Sequence, residues 1–127
     1  MAVPRLSKLE LQVMEILWSR GELCVRDILD AMPPKKRPAY TTIQTIVHRL
    51  EVKEAIRRSR KIGNVHLFQP VVARRAALHR LIDDFLSLIG GRAYPVMTHL
   101  IESGRMTLDD FKEAEKAFKK LANEKKS

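Results

Sequence analysis

One segment, from Arg37 to Pro70, constrains the fold of this chain more than any other. Its first half predicts a short amphipathic helix, because four apolar residues recur there at helical spacing. They are Ile43, Ile46, Val47 and Leu50. The opposite face carries hydroxyl, imidazole and guanidinium groups and no acidic side chain, so it can form hydrogen bonds with the edges of nucleic-acid bases. Its members are Thr41, Thr42, Thr45, His48 and Arg49.

The second half of this segment predicts a basic β-hairpin around a turn at Gly63. Its strands should span about residues 56–60 and 65–69, with Val65 and Leu67 facing the core. Four basic side chains flank the turn: Arg57, Arg58, Arg60 and Lys61. Because strand residues alternate faces, at most half of them should point outward, towards a phosphate backbone or a minor groove. A polar helix followed by a basic hairpin is typical of a winged helix-turn-helix, which predicts duplex DNA as the partner.

Helical patterns flank this segment on both sides. The expected helices cover about residues 8–20, 25–32, 72–89 and 95–103, with a last helix after Thr107. The third helix should begin near Thr42, because the sequence from Thr41 to Gln44 has the form of a capping box. The predicted fold class is therefore mainly α with a small β-hairpin. A winged helix-turn-helix DNA-binding domain over residues 1–71 is followed by a helical dimerisation domain over residues 72–127.

The apolar faces of the C-terminal helices are wider than three helices of this length can bury among themselves. The residues concerned are Leu78, Leu81, Ile82, Phe85, Leu86, Ile89, Phe111 and Phe118. A second copy of the chain would cover them, which predicts a homodimer with two-fold symmetry. The alternative is a C-terminal region that folds back onto its own winged helix.

Positive charge is concentrated in the part of the sequence that predicts the winged helix. The chain has a formal net charge of +9, and residues 31–63 include nine basic side chains against two acidic ones. A cluster of one sign favours a polyanionic partner such as nucleic acid. The alternative is a solvated basic surface without a partner.

Several classes of protein receive no support from the sequence. The first residues lack the apolar run of a signal peptide and no stretch approaches a membrane span, so we expect a cytoplasmic protein without membrane insertion. Motifs for phosphate binding, nucleophilic catalysis and metal binding are missing, so neither an enzyme nor a cofactor is expected. The histidines lack the spacing of a zinc site: His48, His66, His79 and His99. Cys24, the only cysteine, is interpreted either as a redox-sensitive thiol or as a half-buried structural residue.

The order of these elements and three local motifs resemble the penicillinase-repressor family, bacterial regulators of β-lactamase and methicillin resistance. The first motif is LELQVMEILW at residues 9–18, and the second is TIQT at residues 42–45 followed by Arg49-Leu50. The third is Phe68-Gln69-Pro70 at the end of the wing. The resemblance covers nearly the whole chain and implies a dimeric winged-helix repressor on a palindromic operator. It also implies that Thr42 and Thr45 lie on the DNA-facing side of the third helix.

The resemblance further implies a partner and a mode of release. Family members are often paired with a membrane-bound metalloprotease sensor, and induction cleaves the repressor at an Asn-Phe bond in its dimerisation region. His99 and Leu100 occupy that position here and mark the candidate cleavage site. Cys24 stands where the family usually has a Ser or Thr helix cap, and Glu54 stands where a glycine usually ends the third helix. The related copper-responsive repressors carry a C-terminal cysteine cluster, which this sequence lacks.

The third helix and the wing together form the predicted DNA-binding site. Its residues are Tyr40, Thr41, Thr42, Thr45, His48, Arg49, Arg57, Arg58, Arg60 and Lys61. For Tyr40, a packing role and a phosphate contact both stay open. Two alternative functions also stay open: an architectural or RNA-binding protein without sequence preference, and a winged helix that binds another protein.

Overall fold

A computed structural model describes residues 3–126, which form six helices and one two-stranded antiparallel sheet. The helices are α1 (Lys8–Arg20), α2 (Val25–Ala31), α3 (Tyr40–Val52), α4 (Arg74–Leu88), α5 (Tyr94–Glu102) and α6 (Leu108–Lys126). The strands are β1 (Ile56–Ile62) and β2 (Val65–Pro70), which form the wing. This order confirms the predicted fold class, mainly α with a small β-hairpin.

Helix α1 begins and ends where its sequence predicts. The backbone N–H of Glu10 donates to Oγ of Ser7 across 3.2 Å, and the N–H of Ser7 donates to Oε1 of Glu10 across 2.8 Å, which completes the capping box. Gly21 ends the helix with φ 92°, a conformation that a glycine adopts without steric cost. Val13, Met14 and Leu17 are buried on the inner face.

Helix α3 begins earlier than predicted, so the capping-box interpretation of Thr41 to Gln44 was wrong. A capping residue needs an extended backbone, but Thr41 is already helical and the N-cap is Ala39, with ψ 154°. Ala39 supplies no side-chain hydrogen bond, and the hydroxyl of Thr45 donates to the carbonyl of Thr41 across 3.1 Å inside the helix. The first turn of α3 therefore has no side-chain cap.

The end of α3 has a conformation that favours glycine. Glu54 has φ 61°, in the left-handed region, directly after the C-cap Lys53. The backbone N–H of Ala55 donates to the carbonyl of Leu50 across 2.9 Å, which closes the helix in a Schellman-like turn. The position at which the family resemblance expects a glycine is thus occupied by a strained glutamate.

The core lies between α1, α2, α3 and the wing. The four apolar residues predicted on the inner face of α3 are all buried: Ile43, Ile46, Val47 and Leu50. Leu23 and Phe68 exchange two backbone hydrogen bonds, of 3.0 and 2.8 Å, so the turn after α1 adds a short bridge to the outer edge of β2. Nε1 of Trp18 donates to the carbonyl of Val72 across 2.8 Å, which fixes the chain after the wing against α1.

The chain forms two compact units, one up to Phe85 and one from Leu86 onward. The first contains the winged helix and most of α4. The second contains α5 and α6, and α6 begins with a capping box in which Thr107 and Asp110 exchange two hydrogen bonds of 3.0 Å. The functional division after residue 71 stays a prediction. Within residues 3–126, no helix is both long enough and apolar enough to cross a membrane.

Candidate nucleic-acid interface

The outer face of α3 displays all five polar side chains that the helical pattern placed there. Each is exposed: Thr41, Thr42, Thr45, His48 and Arg49. The inner stripe of the same helix is buried, so the helix presents one fixed face to solvent. The hydroxyl proton of Thr45 is used within the helix, but its oxygen can still accept a hydrogen bond and its methyl group can contact a thymine methyl. This surface can read base edges.

The wing departs from the predicted alternation of faces, because Val65 does not face the core. Val65 is 50% exposed and pairs with Ile62, which is 58% exposed. The tip of the hairpin therefore extends beyond the core. Leu67 is buried as predicted, and Phe68 next to it is also buried.

All four basic residues of the wing are exposed, although at most half were expected to point outward. The difference has two causes. A ribbon of two strands leaves much of both faces open to water, and the register shifts between Arg58 and Arg60, which leaves Ser59 as a bulge. Alternation of faces therefore does not separate these four residues.

The four basic residues of the wing differ in their intramolecular contacts. Nε of Arg58 donates to Glu51 of α3 across 2.8 Å, and Nε of Arg60 donates to Glu22 across 2.7 Å. The guanidinium of Arg57 donates to the amide oxygen of Gln69, with that amide oriented to accept. Among residues 3–125, no hydrogen bond or ion pair engages the side-chain ammonium of Lys61. Lys61 is therefore the wing cation that is available for a phosphate without breaking an internal contact.

The pKa of Glu22 lies below its ordinary value, mainly because Ser59 and Arg60 donate hydrogen bonds to its carboxylate. Glu22 is therefore ionised at neutral pH and its pairing with Arg60 is charge-assisted. This pair attaches the wing to the turn after α1.

The basic residues of the loop before α3 also differ in their internal contacts. Nη2 of Arg37 donates to the carbonyl of Met32 across 2.6 Å and to that of Asp30 across 3.2 Å. These are carbonyls at the end of α2, where a cation is favourable. Lys35 and Lys36 are exposed and leave their ammonium groups to solvent.

Tyr40 opens α3 and packs partly against the core, which supports its packing role. The guanidinium of Arg26 lies 4.7 Å above the centre of its ring. Sequence reasoning missed Arg26, because only the folded chain brings the first turn of α2 to the first residue of α3. Cys24, just before Arg26, is half-buried and provides no side-chain cap for α2.

Comparisons with known proteins identify the family of this chain. Residues 6–120 match the family model described as penicillinase repressor. The chain belongs to the penicillinase repressor family. The repressor is 33% identical over 101 residues to the transcriptional regulator BlaI of Mycobacterium tuberculosis, a match that covers 77% of this chain and 72% of that protein. It is 28% identical over 102 residues to an uncharacterised 16.5 kDa protein of Latilactobacillus sakei, covering 80% of this chain and 69% of that protein.

Two solved structures are similar to the winged helix of this repressor. The solution structure of the DNA-binding domain of the repressor BlaI superposes with a TM-score of 0.52 at 25% identity, over 59% of this chain and 90% of that one. The monomeric form of Bacillus licheniformis BlaI in complex with the blaP half-operator gives a TM-score of 0.50 at 25% identity, with the same coverage. The family is one of DNA-binding transcriptional repressors, so this member is a DNA-binding repressor and not an enzyme.

Proposed function

We propose that this repressor binds a palindromic operator as a homodimer in the cytoplasm, with α3 of each copy in a major groove. The observation that carries the proposal is the outer face of α3, where hydroxyl, imidazole and guanidinium groups are exposed on a helix whose other face is fixed in the core. A helix of this size fits the major groove, where each base pair presents a distinct pattern of donors and acceptors.

The half-operator complex of the Bacillus licheniformis relative supports the same arrangement. A half-operator accommodates one winged helix, and a two-fold pair of winged helices requires two half-sites related by the same symmetry. The roles proposed for the interface follow from exposure and chemistry. Thr42, Thr45 and Arg49 contact bases, and Lys61 contacts the phosphate backbone.

The homodimer is supported by the exposed apolar residues of α4 and α6. Ile82 is 53% exposed, Phe85 49% and Phe118 75% in the single chain. Large apolar side chains left in water at this density mark an interaction surface. A second copy of the chain would cover the faces that also include Leu78, Leu81, Leu86, Ile89 and Phe111.

Release from DNA is proposed to involve a partner protease of the membrane-bound metalloprotease class, with His99-Leu100 as the site of cleavage. His99 is exposed on α5 and Leu100 is half-buried. Cutting between these residues would divide the C-terminal unit and weaken the pairing of the two copies.

Selection of binding sites from random DNA, followed by salt titration, tests the proposed operator binding. The wild type should enrich a two-fold symmetric sequence. Thr45→Val, which keeps the shape but removes the hydroxyl, should lower affinity for that sequence by about 1–3 kcal/mol and leave random duplexes nearly unchanged. Arg49→Gln also removes a charge, so it should weaken all duplexes, but the selected sequence by about 1–3 kcal/mol more than random ones. Lys61→Gln should weaken both duplexes and lower the slope of log K against log salt by about 0.9.

A protein without sequence preference would enrich no sequence, and its α3 variants would lose selected and random DNA equally. A winged helix that binds another protein would give no salt-dependent duplex binding. Either result would contradict the proposed function.

Analytical ultracentrifugation tests the dimer separately. The wild type should be a dimer at micromolar concentration, and Phe85→Asp should dissociate it because an unpaired carboxylate would be buried in the interface. Ser87→Asp is the matched control, since Ser87 is an exposed polar residue on the opposite face of the same helix. A wild type that sediments as a monomer would refute the dimer.

A further inference from the structure

A cleft lies between the first turn of α3 and the wing. It has a volume of about 300 Å³, and its walls include Arg26, Tyr40, Asn64, His66 and Phe68. Three distant parts of the sequence meet here: the start of α2, the start of α3 and the tip of the hairpin. We call this cavity the Arg26 cleft.

Arg26 gives the cleft its charge. Among the described residues that line it, Arg26 carries the only permanent charge. Within residues 3–125 no hydrogen bond or ion pair engages its guanidinium, which is exposed and lies 4.7 Å above the Tyr40 ring. A guanidinium that stacks on an aromatic ring keeps its orientation while its N–H groups stay free, and those groups match a phosphate in shape and charge.

The neighbouring wing arginines differ from Arg26 in this respect. Arg58 and Arg60 already donate to carboxylates across 2.8 and 2.7 Å, so binding a phosphate would weaken an existing ion pair. Arg26 loses no such pair, and its stack on Tyr40 reduces the rotamer entropy that binding would otherwise cost. It is a preorganised cation in contact with the first residue of α3.

The position of the cleft fits one segment of a DNA strand. This step rests on the proposed function. If α3 enters a major groove and the wing approaches the adjacent minor groove, the strand that separates the two grooves has to pass between α3 and the wing. The Arg26 cleft occupies that space.

We propose that the Arg26 cleft receives one phosphodiester group of the DNA backbone in each half-site. Arg26 binds the phosphate, and Tyr40 acts as a positioning residue that holds the guanidinium above its ring. Arg26 stacks on Tyr40, which is the first residue of α3. A phosphate bound to Arg26 therefore fixes how far the first turn of α3 enters the groove.

Salt titration of a random duplex and of the selected duplex tests the phosphate contact. Arg26→Gln should lower the slope of log K against log salt by about 0.9 on both duplexes. Arg75→Gln is the matched control, because Arg75 is an exposed arginine of α4 and its loss changes the net charge equally. Its slope should stay within about 0.3 of the wild type. Equal slopes for the two variants would overturn the proposal.

Two further variants separate charge from orientation. Arg26→Lys keeps the charge but loses the planar stack, and Tyr40→Leu keeps Arg26 but removes the ring. Both should keep most of the salt slope and bind the selected duplex about 3- to 10-fold more weakly than the wild type. Full wild-type affinity of Tyr40→Leu would show that the stack does not position Arg26. Circular dichroism melting confirms that each variant is folded.

Neutral methylphosphonate substitutions along the selected duplex locate the contact directly. The wild type should lose affinity at one position per half-site, next to the bases read by α3, and Arg26→Gln should be insensitive to substitution there. Equal sensitivity of both proteins at every position would overturn the assignment. A wild type that selects no sequence would instead refute the proposed operator function, and the slope on the random duplex would still test the cleft.

Discussion

Nε of Arg58 in the wing donates to Oε2 of Glu51 in α3 across 2.8 Å. Nη1 of Arg58 also lies 3.2 Å from Nε2 of His66, and its guanidinium lies 5.9 Å from the centre of the Phe68 ring. Arg58 thus contacts α3 and the opposite strand of the wing at once. We infer that it contributes to DNA binding mainly by setting the angle between α3 and the wing.

Replacing Glu51 distinguishes a positioning role of Arg58 from a phosphate contact. Glu51→Gln removes a negative charge near DNA, so simple electrostatics predicts tighter binding of every duplex. If Arg58 instead holds the wing through Glu51, Glu51→Gln should weaken the selected duplex about 3- to 10-fold with an unchanged salt slope. Glu54→Gln is the control for charge alone, since Glu54 is an exposed acidic residue at the end of the same helix. Tighter binding by both variants would show that Arg58 is a phosphate ligand for which Glu51 competes.

A buried carboxylate connects the end of α3 to the start of α1. Glu10 is 2% exposed, and Nζ of Lys53 donates to its Oε1 across 2.7 Å. The same ammonium donates to the carbonyl of Arg5 across 2.8 Å. Burial raises the pKa of Glu10, but the hydrogen bonds from Lys53 and Ser7 together outweigh burial and hold the pKa below its ordinary value of 4.5.

This ion pair predicts a pH dependence of stability. Because the folded-state pKa is the lower one, the ionised carboxylate stabilises the folded chain above pH 4.5, and that stabilisation is lost as the pH falls through the folded-state pKa. At neutral pH, Glu10→Gln should lower the free energy of unfolding by about 1–3 kcal/mol. The difference from the wild type should shrink below pH 4.5.

Urea denaturation followed by the fluorescence of Trp18, the only tryptophan, measures this effect in the winged-helix unit. Glu15→Gln is the matched control, because Glu15 lies on the same helix and its ion pair with Arg74 is exposed on both sides. That variant should change stability by at most about 1 kcal/mol. Equal stability of Glu10→Gln and the wild type at neutral pH would contradict the assigned role of the carboxylate.

The strained end of α3 offers a stabilising substitution. Glu54 has φ 61°, which costs an L-residue about 1–2 kcal/mol and a glycine almost nothing. We therefore expect Glu54→Gly to raise the free energy of unfolding by about 1 kcal/mol. Glu54→Gln removes only the negative charge, which is unfavourable near a helix C-terminus. It should raise the free energy of unfolding by only a few tenths of the increase expected for Glu54→Gly. Gln44→Gly, at an exposed position in the middle of α3, should lower the free energy of unfolding by about 1 kcal/mol. This control shows that a glycine is stabilising only at the left-handed position.

The sequence predicted the helices and the polar face of α3 because both depend on local periodicity. Ile43 and Ile46 are three residues apart, a spacing that places both on one face of a helix. Once that face is buried, Thr42 and Thr45 point to solvent. The last helix was expected after Thr107 on the same local grounds, and it begins at Leu108 with hydrogen bonds between Thr107 and Asp110 at its start.

The wrong prediction for Val65, and the contacts that the sequence did not reveal, depend on residues that are distant in the chain. Val65 has the alternation of a buried strand residue, but the tip of the hairpin lies beyond the core. Nothing in the local sequence indicates that Glu51 engages Arg58, or that Arg26 stacks on Tyr40, because each pair is brought together by the packing of separate elements. Sequence patterns therefore identified the basic residues of the wing but not Arg26, and the fold decides which of these cations have no internal partner.

The helical structure around His99 limits how a protease could release the repressor. The carbonyl of His99 accepts from the N–H of Ser103 across 2.9 Å, and that of Leu100 accepts from the N–H of Arg105 across 3.0 Å. Proteases bind extended chain, so cleavage at His99-Leu100 requires α5 to open first. The connection after α5 is a better place for an engineered cut, since Gly104 has φ 76° and lies between two helices.

A site for a specific protease inserted between Gly104 and Arg105 tests whether dimerisation controls DNA binding. Two half-sites bound at once make the second contact effectively intramolecular, so separating the two winged helices should remove that gain without changing any DNA-contacting residue. We expect complete cutting to lower affinity for the selected duplex at least tenfold, about 1.4 kcal/mol, and to leave affinity for a single half-site unchanged. The uncut insertion variant is the control for the insertion itself. If cutting yields monomers that bind the full operator as tightly as before, each winged helix binds independently, and cleavage that separates the two copies cannot be the inducing event.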